Sequence, residues 1–299
     1  MSAIVTRGLV KTYGRGSRGL AGLDLEVNRG EVYGYLGPNG AGKSTTIRIL
    51  LDLIRPTDGE VAVLGLDPRR DGVELRRRVG YLAGDFVVDG RQTSRRLLAY
   101  LMDLRGRTDR GGITALADRL DLDLEKPIRG LSKGNRQKVG LVQAFMHEPE
   151  LLVLDEPTSG LDPFLQQEFV HLVREAKERG ATVFMSSHVM SEVQQTADRV
   201  GIIRDGRLVT VESVHSLRER AVRSVTLTLA DPVGPDEFRA LPGFTDVTVT
   251  GATVRGRLAG HTDELVKAAA RHRVIDLLCE EPDLDEIFFH YYGGDRVAA

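Results

Sequence analysis

Gly37-Pro38-Asn39-Gly40-Ala41-Gly42-Lys43-Ser44, with Thr45 next, is the stretch on which the reading of this chain turns. It fits the pattern G-x-x-x-x-G-K-[ST], and its setting gives the pattern physical meaning. Residues 31–37, EVYGYLG, are apolar enough for a buried strand, and STTIRILLDLI, which runs on to Arg55-Pro56, has the apolar spacing of a helix. Glycines let the backbone bare successive N–H groups. Together with a helix N-terminus these cradle a row of phosphates. Lys43 reaches the outer phosphates, and the Ser44 hydroxyl is a ligand for Mg²⁺. The pattern by itself specifies a nucleoside triphosphate and leaves kinases, GTPases and transport ATPases open.

Residues 150–157, ELLVLDEP, form the second signal. An apolar strand that ends in an acid delivers a carboxylate to the C-terminal edge of the sheet, where open α/β sheets bind ligands. Asp155 can hold Mg²⁺ through water, and Glu156, one residue on, points elsewhere and can polarise an attacking water. Between the two signals lies Leu131-Ser132-Lys133-Gly134-Asn135, which opens a helix carrying Val139, Val142 and Met146 at helical spacing. Serine and glycine at a helix start offer free N–H donors and a hydroxyl, a setting suited to an anion.

Around these signals the chain alternates strands and helices, which implies an α/β domain with a mainly parallel sheet. Residues 2–37 read as short strands joined by turns, 60–65 as another strand, and 74–126 as mostly helical. A helix over about 163–179 is followed by Gly180 and the strand 181–187, ATVFMSS. Residues 200–212 read as a hairpin turning at Asp205-Gly206. Near residue 220 the texture changes to alternating strands, one helix, a strand VIDLLCE, and a short final helix over 283–292, so 218–299 read as a separate small α+β domain.

Composition bounds the rest. The 299 residues suggest about two domains. A hydrophobic share of 41% and a charged share of 28% fit a globular chain with a sizeable core. A formal net charge of −2 gives no electrostatic case for nucleic acid as a partner. The single cysteine, Cys279, cannot form an intrachain disulfide, sits in an apolar run, and reads as a small core residue in a reducing compartment. The N-terminus lacks the basic-then-apolar layout of a signal peptide, and no run of 18 apolar residues is present to span a bilayer.

The ordered set GPNGAGKST, LSKGN, LLVLDEP, SGLD and an isolated histidine, His188, resembles the ATP-binding subunit of an ABC transporter over roughly residues 1–215. The likeness is greatest to the ATPase subunits of bacterial drug-resistance exporters. The resemblance implies a P-loop NTPase of the α/β class, with a mainly parallel sheet, N-terminal antiparallel strands and a helical subdomain at about 85–147, within an ATP-binding domain spanning 1–217. It implies that the loop residues Gly37 to Thr45 bind ATP and Mg²⁺ and that Tyr13 stacks on adenine. Asp155 supports the metal, Glu156 is the general base, and His188 senses the γ-phosphate. Ser132 and Gly134 touch the γ-phosphate held by a second copy of the chain, and Asp162 lies at the dimer interface. It also implies a separate integral membrane permease docked on the helical region after Gly84 and a place on the inner face of the cell membrane. The C-terminal domain holds no catalytic constellation; bracing of the dimer, regulation of the ATPase and plain packing are its open roles.

Two departures from the family pattern bear on these expectations. The loop usually reads LSGGQ, and here Lys133 replaces a glycine and Asn135 the glutamine. A glutamine that contacts Mg²⁺ in many members falls at Gly84, next to which Asp85 offers a substitute oxygen ligand. Two other readings compete with an export motor. One is a soluble ATPase of this type acting on DNA repair or ribosomes. The other is a nucleotide-dependent switch that has lost turnover.

Overall fold

The computed structural model describes residues 1–16, 18–87, 90–220 and 222–280. The chain divides into two compact units, 1–212 and 213–299, a few residues before the sequence-based boundary at 217/218. In the first unit β1 (Ser2–Thr12) pairs antiparallel with β2 (Arg18–Asn28). There follow β3 (Val32–Leu36), α1 (Lys43–Leu50), β4 (Asp58–Val63), α2 (Gly72–Arg78) and β5 (Val79–Leu82). Three helices come next, α3 (Ser94–Leu104), α4 (Gly111–Arg119) and α5 (Lys133–Phe145), with α3 and α4 packed on α5. The unit continues through β6 (Leu151–Asp155), α6 (Pro163–Glu178), β7 (Thr182–Ser187), α7 (Met190–Gln194), β8 (Arg199–Arg204) and β9 (Arg207–Ser213).

A six-stranded sheet in the order β5-β6-β7-β3-β8-β9 and a three-stranded sheet in the order β2-β1-β4 result. The pairs β5/β6, β6/β7, β7/β3 and β3/β8 are all parallel, so these strands end along one edge. Every residue of β3, β6 and β7 is buried, which is why none of them alternates apolar with polar residues, the polar ones lying at the ends of β6 and β7. Tyr33 and Tyr35 of β3 lie against Phe184 of β7, with ring centroids 5.9 and 5.2 Å apart. Between them Gly34 is required by packing, because a Cβ there would lie 2.1 Å from Val193 of α7. The β8–β9 turn at Asp205-Gly206 has φ of 50° and 73°, the positive pair that suits a two-residue hairpin.

Two expectations need correction. The region 74–126 is not helical throughout, because β5 lies within it. Val79-Gly80-Tyr81-Leu82 becomes a strand by pairing with Leu151–Leu154 of β6, a tertiary cause that local periodicity does not carry. The helix after the glycine-rich loop ends at Leu50, not at Ile54. Asp52 takes a left-handed φ of 54°, and the Leu53 and Ile54 N–H groups bond back to the Arg48 carbonyl, so an aspartate closes the helix where glycine is usual.

Arg119 of α4 fastens the helical segment to α6 through Glu168 at 2.6 Å and a two-pronged contact with Glu175 at 2.8 Å on each arm. After α5, His147 is buried with Nε2 bonded to the Val79 carbonyl at 3.2 Å and Nδ1 without a partner. Burial, with the Arg105 charge adding to it, pulls this imidazole down to about 4. The unfolded chain keeps the ordinary value near 6.5, so protons favour unfolding. The His147 contribution is therefore complete above pH 6.5 and is lost as pH falls toward 4, a swing of about 3 kcal/mol. Urea midpoints measured across that window will fall with acidification. His147→Gln, whose amide can still donate to Val79, will remove that share of the slope.

In the second unit, α8 (Val214–Arg220) precedes β10 (Arg223–Leu229), α9 (Pro235–Arg239), β11 (Phe244–Thr250), β12 (Thr253–Leu258), α10 (Asp263–Ala269) and β13 (Val274–Glu280). The strands form an antiparallel sheet in the order β11-β12-β10-β13. Val225, Leu227, Phe238, Phe244, Val254 and Leu265 form its core. The short helix α9 has no counterpart in the sequence reading. Cys279 pairs with Val225 and packs against this core as a half-buried apolar group. The helix expected over 283–292 lies outside the described residues.

Candidate functional site

The loop 37–42 joins β3 to α1 at the C-terminal edge of the large sheet. Gly40 and Gly42 have φ of 83° and 113°. At Gly42 a Cβ would also lie 2.7 Å from the Gly19 carbonyl, so both conformation and space demand glycine. Gly37 is fixed by packing, since a Cβ there would lie 2.6 Å from the Ile203 carbonyl. Lys43, the first residue of α1, is 6% exposed. Its ammonium donates to the carbonyls of Gly37 at 2.6 Å and Pro38 at 3.3 Å, and so curls back over the loop.

The strand ends beside this loop supply the acids. Asp155 closes β6 and is 5% exposed, and its Oδ1 accepts a 2.6 Å hydrogen bond from Ser186 of β7. Glu156 follows in a left-handed conformation, φ 49°, which turns its side chain away from that of Asp155. One carboxylate oxygen of Glu156 lies 3.3 Å from the Lys43 ammonium, and the other is 2.6 Å from His188 Nδ1. His188 stands just past the end of β7. The Ser187 hydroxyl, accepting from the Val189 N–H at 3.0 Å and donating to Glu192 at 2.8 Å, shapes the turn that carries it.

An open cavity of about 530 Å³ gathers these groups. Pro38, Asn39, Gly40, Gly42, Lys43, Ser44 and Thr45 line it from the loop and helix, with Asp85, Asp155, Glu156 and His188 opposite. Sequence reasoning did not assign Arg48, Tyr81 or Ser159, which also line it. Tyr81 belongs to β5, the strand that periodicity missed. Burial raises the pKa of its phenol, with the Asp155 charge adding to the shift and Arg48 opposing it.

Six expected residues stand outside the lining. Gly37 and Ala41 are loop residues held by packing. Tyr13 is half-exposed, with its hydroxyl 3.2 Å from the Thr45 hydroxyl and Lys11 over its ring. Ser132 caps α5 by accepting from the Asn135 N–H at 3.2 Å. A Cβ at Gly134 would lie 3.3 Å from the Gly160 carbonyl, so this loop rests on the 159–162 turn of its own chain. Asp162 caps α6 by accepting from the Leu165 N–H at 3.0 Å. Lys133 does line the cavity, its aliphatic stem running along Gly160.

The donors fit a hard cation. Ser44, Asp155 and Asp85, whose side chains carry only oxygen donors, all line the cavity. Among the described residues no cluster of three or more His, Cys, Asp or Glu forms a protein-only cage. Mg²⁺ is held in that way, by one or two protein oxygens, with waters and phosphate oxygens completing the octahedron. Gly84 lies against Asp155, where a Cβ would be 3.5 Å from Oδ2, so glycine adds no side chain against that oxygen.

Comparison with known proteins agrees with this geometry. Residues 20–159 match the family model described as ABC transporter. The chain is 35% identical over 310 residues to the daunorubicin resistance ATP-binding protein DrrA3 of Streptomyces coeruleorubidus, covering 99% of this chain and 97% of that protein. It is 37% identical over 235 residues to the bacitracin transport ATP-binding protein BcrA of Bacillus licheniformis, covering 77% and 76%. Among solved structures, one described as the ATP binding subunit of an ABC transporter superposes with a TM-score of 0.67 at 27% identity, over 72% of this chain and 92% of that one.

Proposed function

This chain belongs to the ABC transporter family as an ATP-binding, ATP-hydrolysing subunit, and from that premise we propose that it drives export by pairing head to tail with a second copy. In this reading each nucleotide lies on the loop 37–45 of one copy and is closed over by Ser132 and Gly134 of the other. The observation that carries the hydrolytic part of this reading is the Glu156 carboxylate, held between Lys43 at 3.3 Å and His188 at 2.6 Å inside the phosphate-loop cavity.

Phosphoryl transfer asks for positioning and charge neutralisation rather than covalent catalysis. The N–H groups of the loop and of the α1 start hold the β- and γ-phosphates, and Lys43 moves from the carbonyls of Gly37 and Pro38 to the outer phosphates. Glu156 orients the attacking water and accepts its proton, while His188 keeps that carboxylate aimed and meets the γ-phosphate. Tyr13, placed at Thr45, stacks on the base. Ser44 and Asp155, with Asp85 beside them, would hold Mg²⁺, which when bound would neutralise phosphate charge. Asp162 supports the contact between copies.

Among the described residues no helix is long and apolar enough to cross a membrane. In this reading a separate integral membrane permease carries the cargo, with this subunit on the cytoplasmic face, and cargo of the antibiotic type carries over only by likeness to the relatives. The test is the ATPase rate per chain across a dilution series. We expect it to fall as protein concentration drops below the range in which copies pair. A rate per chain that stays constant down to strictly monomeric protein overturns the shared site. Co-purification with a multi-span protein from detergent-solubilised membranes tests the permease.

A further inference from the structure

Ser186 is fully buried on β7, opposite Asp155 of β6 in the strand register. Its single hydroxyl makes two bonds to the two acids of the site. It donates to Asp155 Oδ1 at 2.6 Å and accepts from the Glu156 N–H at 3.1 Å. A hydroxyl has one proton to give and lone pairs to receive with, so this pair of bonds uses the group in both senses. The proton is committed to Asp155, and one carboxylate oxygen of Asp155 is thereby fixed in place. The other oxygen, Oδ2, lies on the side of Gly84, where the absence of a Cβ leaves room beside it.

The second bond acts on the backbone. Glu156 has a φ of 49°, a conformation that costs a residue with a Cβ roughly 1–2 kcal/mol and persists only where its surroundings impose it. The Glu156 N–H is shared between the Ser186 hydroxyl at 3.1 Å and the Ser186 carbonyl at 3.3 Å. That anchor turns successive carboxylates in different directions, Asp155 toward Gly84 and Glu156 toward Lys43 and His188.

We propose that Ser186 is a positioning residue for hydrolysis: one buried hydroxyl sets the free oxygen of Asp155 for the metal and, through the backbone, the aim of the Glu156 carboxylate. The proposal rests on the assignment of Asp155 to the metal and Glu156 to the attacking water. It separates Ser186 from the residues that touch nucleotide, because its hydroxyl is spent on the two acids.

Ser186→Ala removes only the hydroxyl. The expected result is a fall in turnover at saturating ATP of about tenfold to a hundredfold, the usual cost of freeing a group that orients a metal ligand. Affinity for ATP in EDTA, which depends on the phosphate loop, stays unchanged. Mn²⁺ affinity in the presence of the non-hydrolysable analogue AMP-PNP, read by electron paramagnetic resonance, weakens several-fold, and the Mg²⁺ concentration required for half activity rises by a similar factor. Ser186→Thr keeps the hydroxyl and restores both readouts. If its extra methyl prevents folding, Ser186→Cys, with a weaker donor, falls between serine and alanine in both. Unchanged turnover and Mn²⁺ affinity in Ser186→Ala overturns the proposal. So does a loss of metal-free ATP affinity and melting temperature in step with turnover, which marks a packing defect. If the unaltered chain binds neither ATP nor Mn²⁺ with AMP-PNP, the assignment of the site falls, and the proposal falls with it.

Discussion

Glu156→Gln is expected to bind MgATP, to lose turnover by about a hundredfold or more, and to accumulate as an ATP-bound dimer. A positioned general base contributes about 10²–10⁴ in rate, which is about 3–5 kcal/mol of barrier. The amide keeps the size of the carboxylate and cannot take a proton from water. Binding survives because the affinity for phosphate resides in the loop and in Lys43. It will even tighten, since the carboxylate 3.3 Å from the Lys43 ammonium competes with phosphate for that cation, and the amide does not. The hydrogen bond to His188 persists in weaker form, through whichever ring nitrogen suits the amide. Steady-state ATPase assays give the rate, and size-exclusion chromatography with ATP gives the dimer. Turnover in Glu156→Gln near that of the unaltered chain would refute its assignment as the base.

How far the sequence speaks depends on where a residue's role is decided. Asp155, Glu156 and His188 are legible because each sits at or just past the end of a buried strand, and Lys43 because it opens the helix after the glycine-rich loop that leaves β3; such positions face the ligand edge of a parallel sheet. Their contacts follow from strand order: β7 lies between β6 and β3, so His188 emerges beside both the loop after β3 and the acids after β6. Ser186 was not legible. TVFMSS reads as a core strand, and only the register Asp155↔Ser186 turns a generic serine into a partner of two acids. The same applies to β5, whose strand character comes from β6, and to Tyr81 within it. The helix stop at Asp52 was missed because its signal is a left-handed aspartate rather than a glycine. The loop at Ser132 shows the limit in another form. Sequence suggests an anion site there, and the structure sets Gly134 against Gly160 of the same chain and leaves Ser132 and Gly134, though not Lys133, outside the lining of that chain's own cavity.

That placement makes Ser132→Arg the sharpest probe of whether two copies share a site. Ser132 is exposed and its hydroxyl caps α5. Losing the cap costs about 1 kcal/mol, a modest loss for the folded chain. It is absent from the lining of its own cavity, so the variant should bind ATP as tightly as the unaltered chain. If Ser132 closes over the γ-phosphate of the partner copy, a bulky side chain there removes the donor from that one pocket while the copies still pair, and turnover falls by about a hundredfold, comparable to removing a donor aimed at developing charge. Lys43→Ala fails for the opposite reason, since its own loop no longer holds phosphate. Mixing the two inactive variants decides the matter. In a head-to-tail pair of one Ser132→Arg copy and one Lys43→Ala copy, one pocket combines both lesions. The other combines the intact loop of the first copy with the intact Ser132 of the second. Random pairing makes half the dimers mixed, each with one sound pocket, so activity returns to about a quarter of that of the unaltered protein. Two variants that stay inactive when mixed, while size-exclusion chromatography shows that they pair, would rule out a pocket built from both chains.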